Sequence, residues 1–219
     1  MKNNITELIF ILDKSGSMEG LQADTVGGFN AMIKKQKQLE GTVYVTTVLF
    51  ANSSTVVHDR LSIEKIAPMT ESDYQPGGCT ALMDALGDTI RHIASIHRYA
   101  RPEDVPERTI FVITTDGYEN ASRRYSAERV RSMIKHEEEK YGWEFLFLAA
   151  NIDAVETAEH YGINAERAVN YKASSTGTVD MYACVSEAIT GIRSGGLKKG
   201  WGKSLEKKIY TNTGRADSA

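Results

Sequence analysis

Three short runs of the chain are apolar or β-branched almost without interruption, at residues 8–12, 109–115 and 145–150. Strands covered on both faces carry such runs, because neither face leaves a solvent side for polar residues. They predict central parallel strands. Between them lie segments with helical spacing. Leu82, Ala85, Leu86, Thr89, Ile90 and Ile93 fall on one helix face, the clearest such stripe in the chain. A second helix is predicted from about residue 20 to 39, with Leu21, Thr25, Phe29, Met32 and Ile33 on its stripe. A third runs from Ser126 as N-cap, through Val130, Met133 and Ile134, to a glycine stop at Gly142. A fourth carries Met181, Val185, Ala188, Ile189 and Ile192 and stops near Gly195, and residues 153–161 hold a weaker helical pattern.

Residues 42–50 and 55–59 are rich in Val and Thr and are separated by only four positions. So short a link permits an antiparallel hairpin, whereas a parallel crossover needs a dozen or more residues. One antiparallel edge strand is therefore expected. Strand and helix alternate through about residue 193, which predicts an α/β fold: a doubly wound, mostly parallel sheet with helices on both faces.

Length and composition narrow the class further. The 219 residues suit one domain, and 41% hydrophobic with 25% charged residues is ordinary globular usage. The formal charge of −3 gives no reason to expect a nucleic-acid partner. That total hides two unlike parts. Residues 191–219 hold seven basic and two acidic side chains, a local +5, which leaves the preceding body at −8. The expected organisation is a domain over 1–194 and a Gly- and Lys-rich, flexible C-terminal tail over 195–219. No run approaches a membrane span, and the apolar stretch at 8–12 is too short for a signal-peptide core, so a cytoplasmic protein is expected. Cys79 and Cys184, far apart, are read as reduced thiols.

Three polar clusters fall beside the strand ends where a doubly wound sheet gathers its ligands. Asp13-Lys14-Ser15-Gly16-Ser17 follows the first strand, and its alternate positions can converge a carboxylate and two hydroxyls. Gly77-Gly78-Cys79-Thr80 leads into the strongest helix and offers the Thr80 hydroxyl. Thr115-Asp116-Gly117 ends another strand and offers a second carboxylate. Asp13, Ser15, Ser17, Thr80 and Asp116 together form an oxygen-only ligand set, suited to Mg²⁺, Mn²⁺ or Ca²⁺ and poorly suited to zinc or copper. With few direct ligands the ion keeps positions open for an outside group. Each motif alone has a plainer reading, as an Asx or Ser turn, a helix cap or a turn pair; their joint placement favours the metal.

On these residues the chain resembles the von Willebrand factor A domain family: an apolar strand ending in Asp13-Lys14-Ser15-Gly16-Ser17-Met18, then Gly77-Gly78-Cys79-Thr80-Ala81-Leu82, then Thr115-Asp116-Gly117, in the family's order. The resemblance covers roughly residues 5–193. It implies a Rossmann-like sheet and an intact metal-ion-dependent adhesion site (MIDAS) at Asp13, Ser15, Ser17, Thr80 and Asp116, with Mg²⁺ as the ion. The function it implies is a stand-alone bacterial-type adaptor or scaffold, not an enzyme, whose metal receives an acidic residue of a partner protein. Intracellular relatives of this type act beside AAA+ ATPases or in tellurite-resistance clusters, and the resemblance does not choose between such settings.

The competing motifs are incomplete. A dinucleotide fingerprint lacks its glycines, with only Gly16 and Gly20 after the first strand. Gly202-Lys203-Ser204 ends like a P-loop but has Leu197 where the first glycine belongs. The alternative class is a metal-dependent phosphoesterase or hydrolase at the same site, although the second aspartate of a haloacid-dehalogenase-like pair is replaced here by Ser15. His92 and His97 are expected on a helix surface, the run Glu137 to Glu139 on a solvated helix end, and Tyr118, Glu119 and Asn120 on loop surface near the site.

Overall fold

The computed structural model describes residues 4–203 and 205–207. Six strands, β1 (Ile5–Asp13), β2 (Thr42–Phe50), β3 (Ser54–Ser62), β4 (Arg108–Thr115), β5 (Glu144–Ala149) and β6 (Ala168–Asn170), form one sheet in the order β3-β2-β1-β4-β5-β6. All neighbours are parallel except β2 and β3. The hairpin expected from the four-residue link is therefore the antiparallel edge. The helices are α1 (Gln22–Lys37), α2 (Leu82–Tyr99), α3 (Ala127–Tyr141), α4 (Ala154–His160) and α5 (Ser175–Arg193).

The uninterrupted apolar strands divide their side chains between two cores, because alternate residues of a strand face opposite sides. Leu8, Phe10 and Leu12 of β1 pack with Phe29, Met32 and Ile33 of α1 and Val185 and Ile189 of α5. Ile9 and Ile11 pack with Leu86 and Ile90 of α2 and Val130 and Ile134 of α3 on the other side. Each such side chain is fully or almost fully buried, a contribution of about 1.5–3 kcal/mol apiece before entropy. The Phe10 and Phe29 rings meet edge to face with centroids 5.4 Å apart, fixing α1 against the sheet.

The connection leaving β1 passes through α1 on one face, and the one leaving β4 passes through α3 on the other. Because β1 and β4 are adjacent, the sheet's switch point lies between their C-terminal ends, where Leu12 registers with Thr114. Asp13 and Asp116 lie just past that point.

Several elements differ from the sequence pattern. The edge strand β3 extends to Ser62, and its pairing with β2 is broken by register shifts around Thr47, with Arg60 at φ 50°. The three-residue β6 has too little length to show a period. His97 is not on the solvent side of α2: its Nε2 lies 2.7 Å from Glu7, whose carboxylate is fully buried and also bound by Arg60 at 2.9 Å. Within the run of glutamates expected on a solvated helix end, Glu137 is likewise buried, whereas Glu138 is half-buried and Glu139 exposed, since the positions of a helix turn face different sides. In the described part of the C-terminal segment, Leu205 is buried among the α1/α5-side core and the Trp201 indole donates to the Glu166 carbonyl at 2.9 Å. Residues 208–219 of the expected tail lie outside the described residues.

Candidate metal centre

Asp13 ends β1 with its carboxylate almost wholly removed from solvent. Its Oδ1 accepts the Ser15 backbone N–H at 2.7 Å, which turns the chain sharply after the strand, and its Oδ2 accepts the Thr115 hydroxyl at 2.7 Å. The turn continues as a short 3-10 turn over Gly16–Met18. It brings the Ser15 and Ser17 hydroxyls within 3.1 Å of each other, and Ser17 donates to Asp116 Oδ1 at 2.5 Å. Asp13, Ser15, Ser17 and Asp116, drawn from two loops a hundred residues apart in sequence, thus form one contiguous polar cluster.

Thr80 is placed by the third loop. The Gly77 N–H donates to the Lys14 carbonyl at 2.9 Å and the Gly16 N–H to the Gly78 carbonyl at 3.0 Å, lacing this loop to the serine turn. Gly78 has φ 82°, and a Cβ there would sit 2.9 Å from the Asn52 side chain, so both conformation and space call for glycine. Thr80 itself is buried, and its backbone exchanges two hydrogen bonds with Asn120, at 2.9 and 3.0 Å.

The electrostatics are unbalanced. The two carboxylates face each other's field in a buried setting, and Asp116 is held above its ordinary pKa, first by burial and also by the charge of Asp13. Asp116 Oδ2 is buried and has no hydrogen-bond partner among the described residues. A buried carboxylate oxygen left without a donor costs free energy unless a cation meets it. No three His, Cys, Asp or Glu side chains cluster to hold a metal among the described residues. An ion here would therefore rest on two carboxylates and the neighbouring hydroxyls, a hard-oxygen set that fits Mg²⁺, Mn²⁺ or Ca²⁺.

Some residues that hold the cluster carried little sequence signal. Thr115 binds Asp13 directly, and the Tyr74 hydroxyl, fully buried, donates to the Asp13 carbonyl. Asn151, at φ 59°, donates from Nδ2 to the Asp116 carbonyl at 3.2 Å. A side-chain oxygen of each loop residue Glu119 and Asn120 accepts backbone N–H groups at the start of α2 or just before it. Both therefore pin loops together, whereas Tyr118 is exposed at 66% beside the cluster.

No protein-family model matches the sequence, and no curated protein matches it. Solved structures do match in shape. A von Willebrand factor type A protein from Catenulispora acidiphila superimposes with a TM-score of 0.59 at 14% identity, covering 87% of this chain and 43% of that one. Proximal thread matrix protein 1 from the mussel byssus, in a structure described as having a zinc-occupied MIDAS motif, gives 0.57 at 16% identity over 84% of this chain and 46% of that one. The manganese-loaded TRAP protein of Plasmodium vivax gives 0.56 at 17% identity, covering 83% and 73%. The chain thus spans less than half the length of the first two. Identities this low speak to architecture alone, and the architecture is the Rossmann-like fold of von Willebrand factor A domains.

Proposed function

We propose that this chain is a metal-dependent protein-binding module, with a divalent cation held by Asp13, Ser15, Ser17, Thr80 and Asp116 and a carboxylate of a partner protein taken at the ion's open position. The observation that carries the reading is the buried, unpartnered Asp116 Oδ2 beside Asp13 and the paired serine hydroxyls. Two structural neighbours are described with a metal bound, zinc in one and manganese in the other, which supports a cation in this fold. Mg²⁺ is the proposed ion, since every candidate ligand is a hard oxygen. Bound there, it would supply a positive charge with a coordination position left for an acidic side chain. The chain's own residues would do the rest: Asp13 and Asp116 neutralise the ion, the Ser15 turn fixes their spacing, and Thr115 and Tyr74 hold Asp13 in place.

None of the described helices is long and apolar enough to cross a membrane. We propose a cytoplasmic setting of the bacterial stand-alone type, with a protein partner such as an AAA+ ATPase or a stress-resistance complex and with no nucleic acid.

Thermal denaturation and calorimetry with Mg²⁺, Mn²⁺ and Ca²⁺ test the reading. A ligand at about a hundred times its Kd stabilises by about 2.7 kcal/mol, so a clear rise in Tm is expected for the wild type and none for Asp13→Ala. A wild type indifferent to all three ions, or an equal rise in the variant, overturns it. Turnover of a generic phosphate ester that stops with EDTA and with Asp13→Asn would replace the binding module by a hydrolase.

A further inference from the structure

A second charged surface lies away from the metal cluster, in the groove between α2 and α3. The groove has a volume of about 830 Å³. Arg91 and Arg98 line it from α2, and Arg129 and His136 from α3. Each pair is seven residues apart, two helical turns or about 10 Å. All four side chains are exposed, and none of the three arginines forms a close salt bridge among the described residues. The acidic side chains lining the groove offset them only in part: Asp88 is held by Arg124 at 2.6 Å, and the single buried Glu137 carboxyl lies in the field of both Arg98 and His136. Three guanidinium groups with one buried carboxylate among them, gathered on a body of net charge −8, are a local positive excess that an added anion relieves.

We propose that this groove docks an acidic amphipathic helix of a partner protein, independently of the metal. The spacing on both walls matches carboxylates two turns apart on a third helix, and Ala94 and Met133, partly buried between the cationic rows, offer its apolar side a floor. Both walls are helix interiors whose backbone N–H groups are already used, so the groove lacks the free N–H cradle that grips phosphate. Guanidinium groups pair bidentately with carboxylates, which sets the orientation of such a segment. Arg91 lies nine residues into α2, about 14 Å along the helix from the metal end, so the two surfaces can be occupied at once.

Fluorescence anisotropy tests this with a labelled peptide about 15 residues long, the length at which isolated helices begin to form, patterned with Glu two turns apart and Leu between. In metal-free buffer, saturable binding is expected, weakening as salt is raised. The triple variant Arg91→Glu, Arg98→Glu, Arg129→Glu should bind at least about tenfold more weakly, and the single variant Arg98→Glu is read instead if circular dichroism shows the triple variant unfolded. Arg101→Glu, a reversal at an exposed arginine already paired with Asp104 outside the groove, should bind the peptide unchanged, and adding Mg²⁺ at constant ionic strength should leave wild-type binding unchanged. Absence of saturable binding, or undiminished binding by the reversed variants, overturns the proposal. Tighter binding of inorganic tripolyphosphate than of the peptide, lost in the same variants, also overturns it and assigns the groove to a small phosphate ligand.

Discussion

Glu119 shows how one side chain joins two of the three loops around the metal cluster. The residue before α2, Ala81, has no side chain able to cap the helix. The Glu119 carboxylate, arriving from the loop after β4, accepts the Met83 N–H at 2.8 Å, the Ala121 and Ser122 N–H groups at 2.9 and 2.7 Å, and the Ser122 hydroxyl at 2.8 Å. Asp84 answers from α2, accepting the N–H groups of Arg124 and Tyr125 at 2.8 and 3.0 Å. An acceptor that satisfies several partly buried N–H groups costs about 1–3 kcal/mol to weaken. Glu119→Gln should therefore lower the Tm and also shrink the rise produced by a divalent ion, because Thr80 and Asp116 lie on the two loops it joins. A lowered Tm with an undiminished ion response would restrict Glu119 to capping α2. The sequence proposes the five candidate ligands because each stands in a short motif, four of them at or just past strand ends and Thr80 just before α2. Glu119 and Tyr74 were not legible, since a hydrogen bond to a distant loop leaves no periodicity or spacing in the sequence.

At the scale of elements, the long uninterrupted strands and the amphipathic α2 and α3 were legible because burial on both faces, or on one stripe, imposes a pattern that survives any detail of packing. Ser126 accepts the Arg129 N–H as N-cap and Gly142 closes α3, as the sequence predicts. The short β6 was invisible for lack of length, and His97 was misplaced because its ring bonds inward to the buried Glu7 carboxyl of β1, a contact that leaves no trace in the helix pattern. The contact of α1 with α5 was also hidden, although it turns on one glycine. A Cβ at Gly28 would lie 2.4 Å from the Tyr182 ring. Alanine favours a helix interior by about 1 kcal/mol over glycine, yet Gly28→Ala should destabilise the protein, because parting α1 from α5 costs more, about 1–3 kcal/mol for an overpacked core. Chemical denaturation decides the sign; a stabilised variant would mean that the Tyr182 ring swings aside without loss.

For the whole molecule, composition suggests one domain and a basic C-terminal segment but cannot reveal which residues of that segment pack. Two apolar side chains among glycines and lysines have no pattern, and only the fold shows Leu205 buried and Gly202 set against Val169 so closely that a Cβ would meet its Cγ2 at 2.1 Å. Cys184 lies under the same segment, its Sγ 3.7 Å from the Trp201 carbonyl, whereas Cys79 is exposed. Deleting residues 195–219 should therefore lower stability by about 2–5 kcal/mol, the scale of losing large buried side chains, and should raise the number of rapidly titrating thiols from one to two. An unchanged Tm with Cys184 still protected would make the segment dispensable to the domain. The sheet also ends in a way that governs self-association. Its one long edge, β3, carries charged residues and bulges where Arg60 adopts a left-handed backbone, and its other edge is only three residues long. A foreign strand finds no straight ladder to extend on either side, so even at high concentration or after partial heating the native molecule should resist templated fibre growth and meet other proteins through its loops and helices.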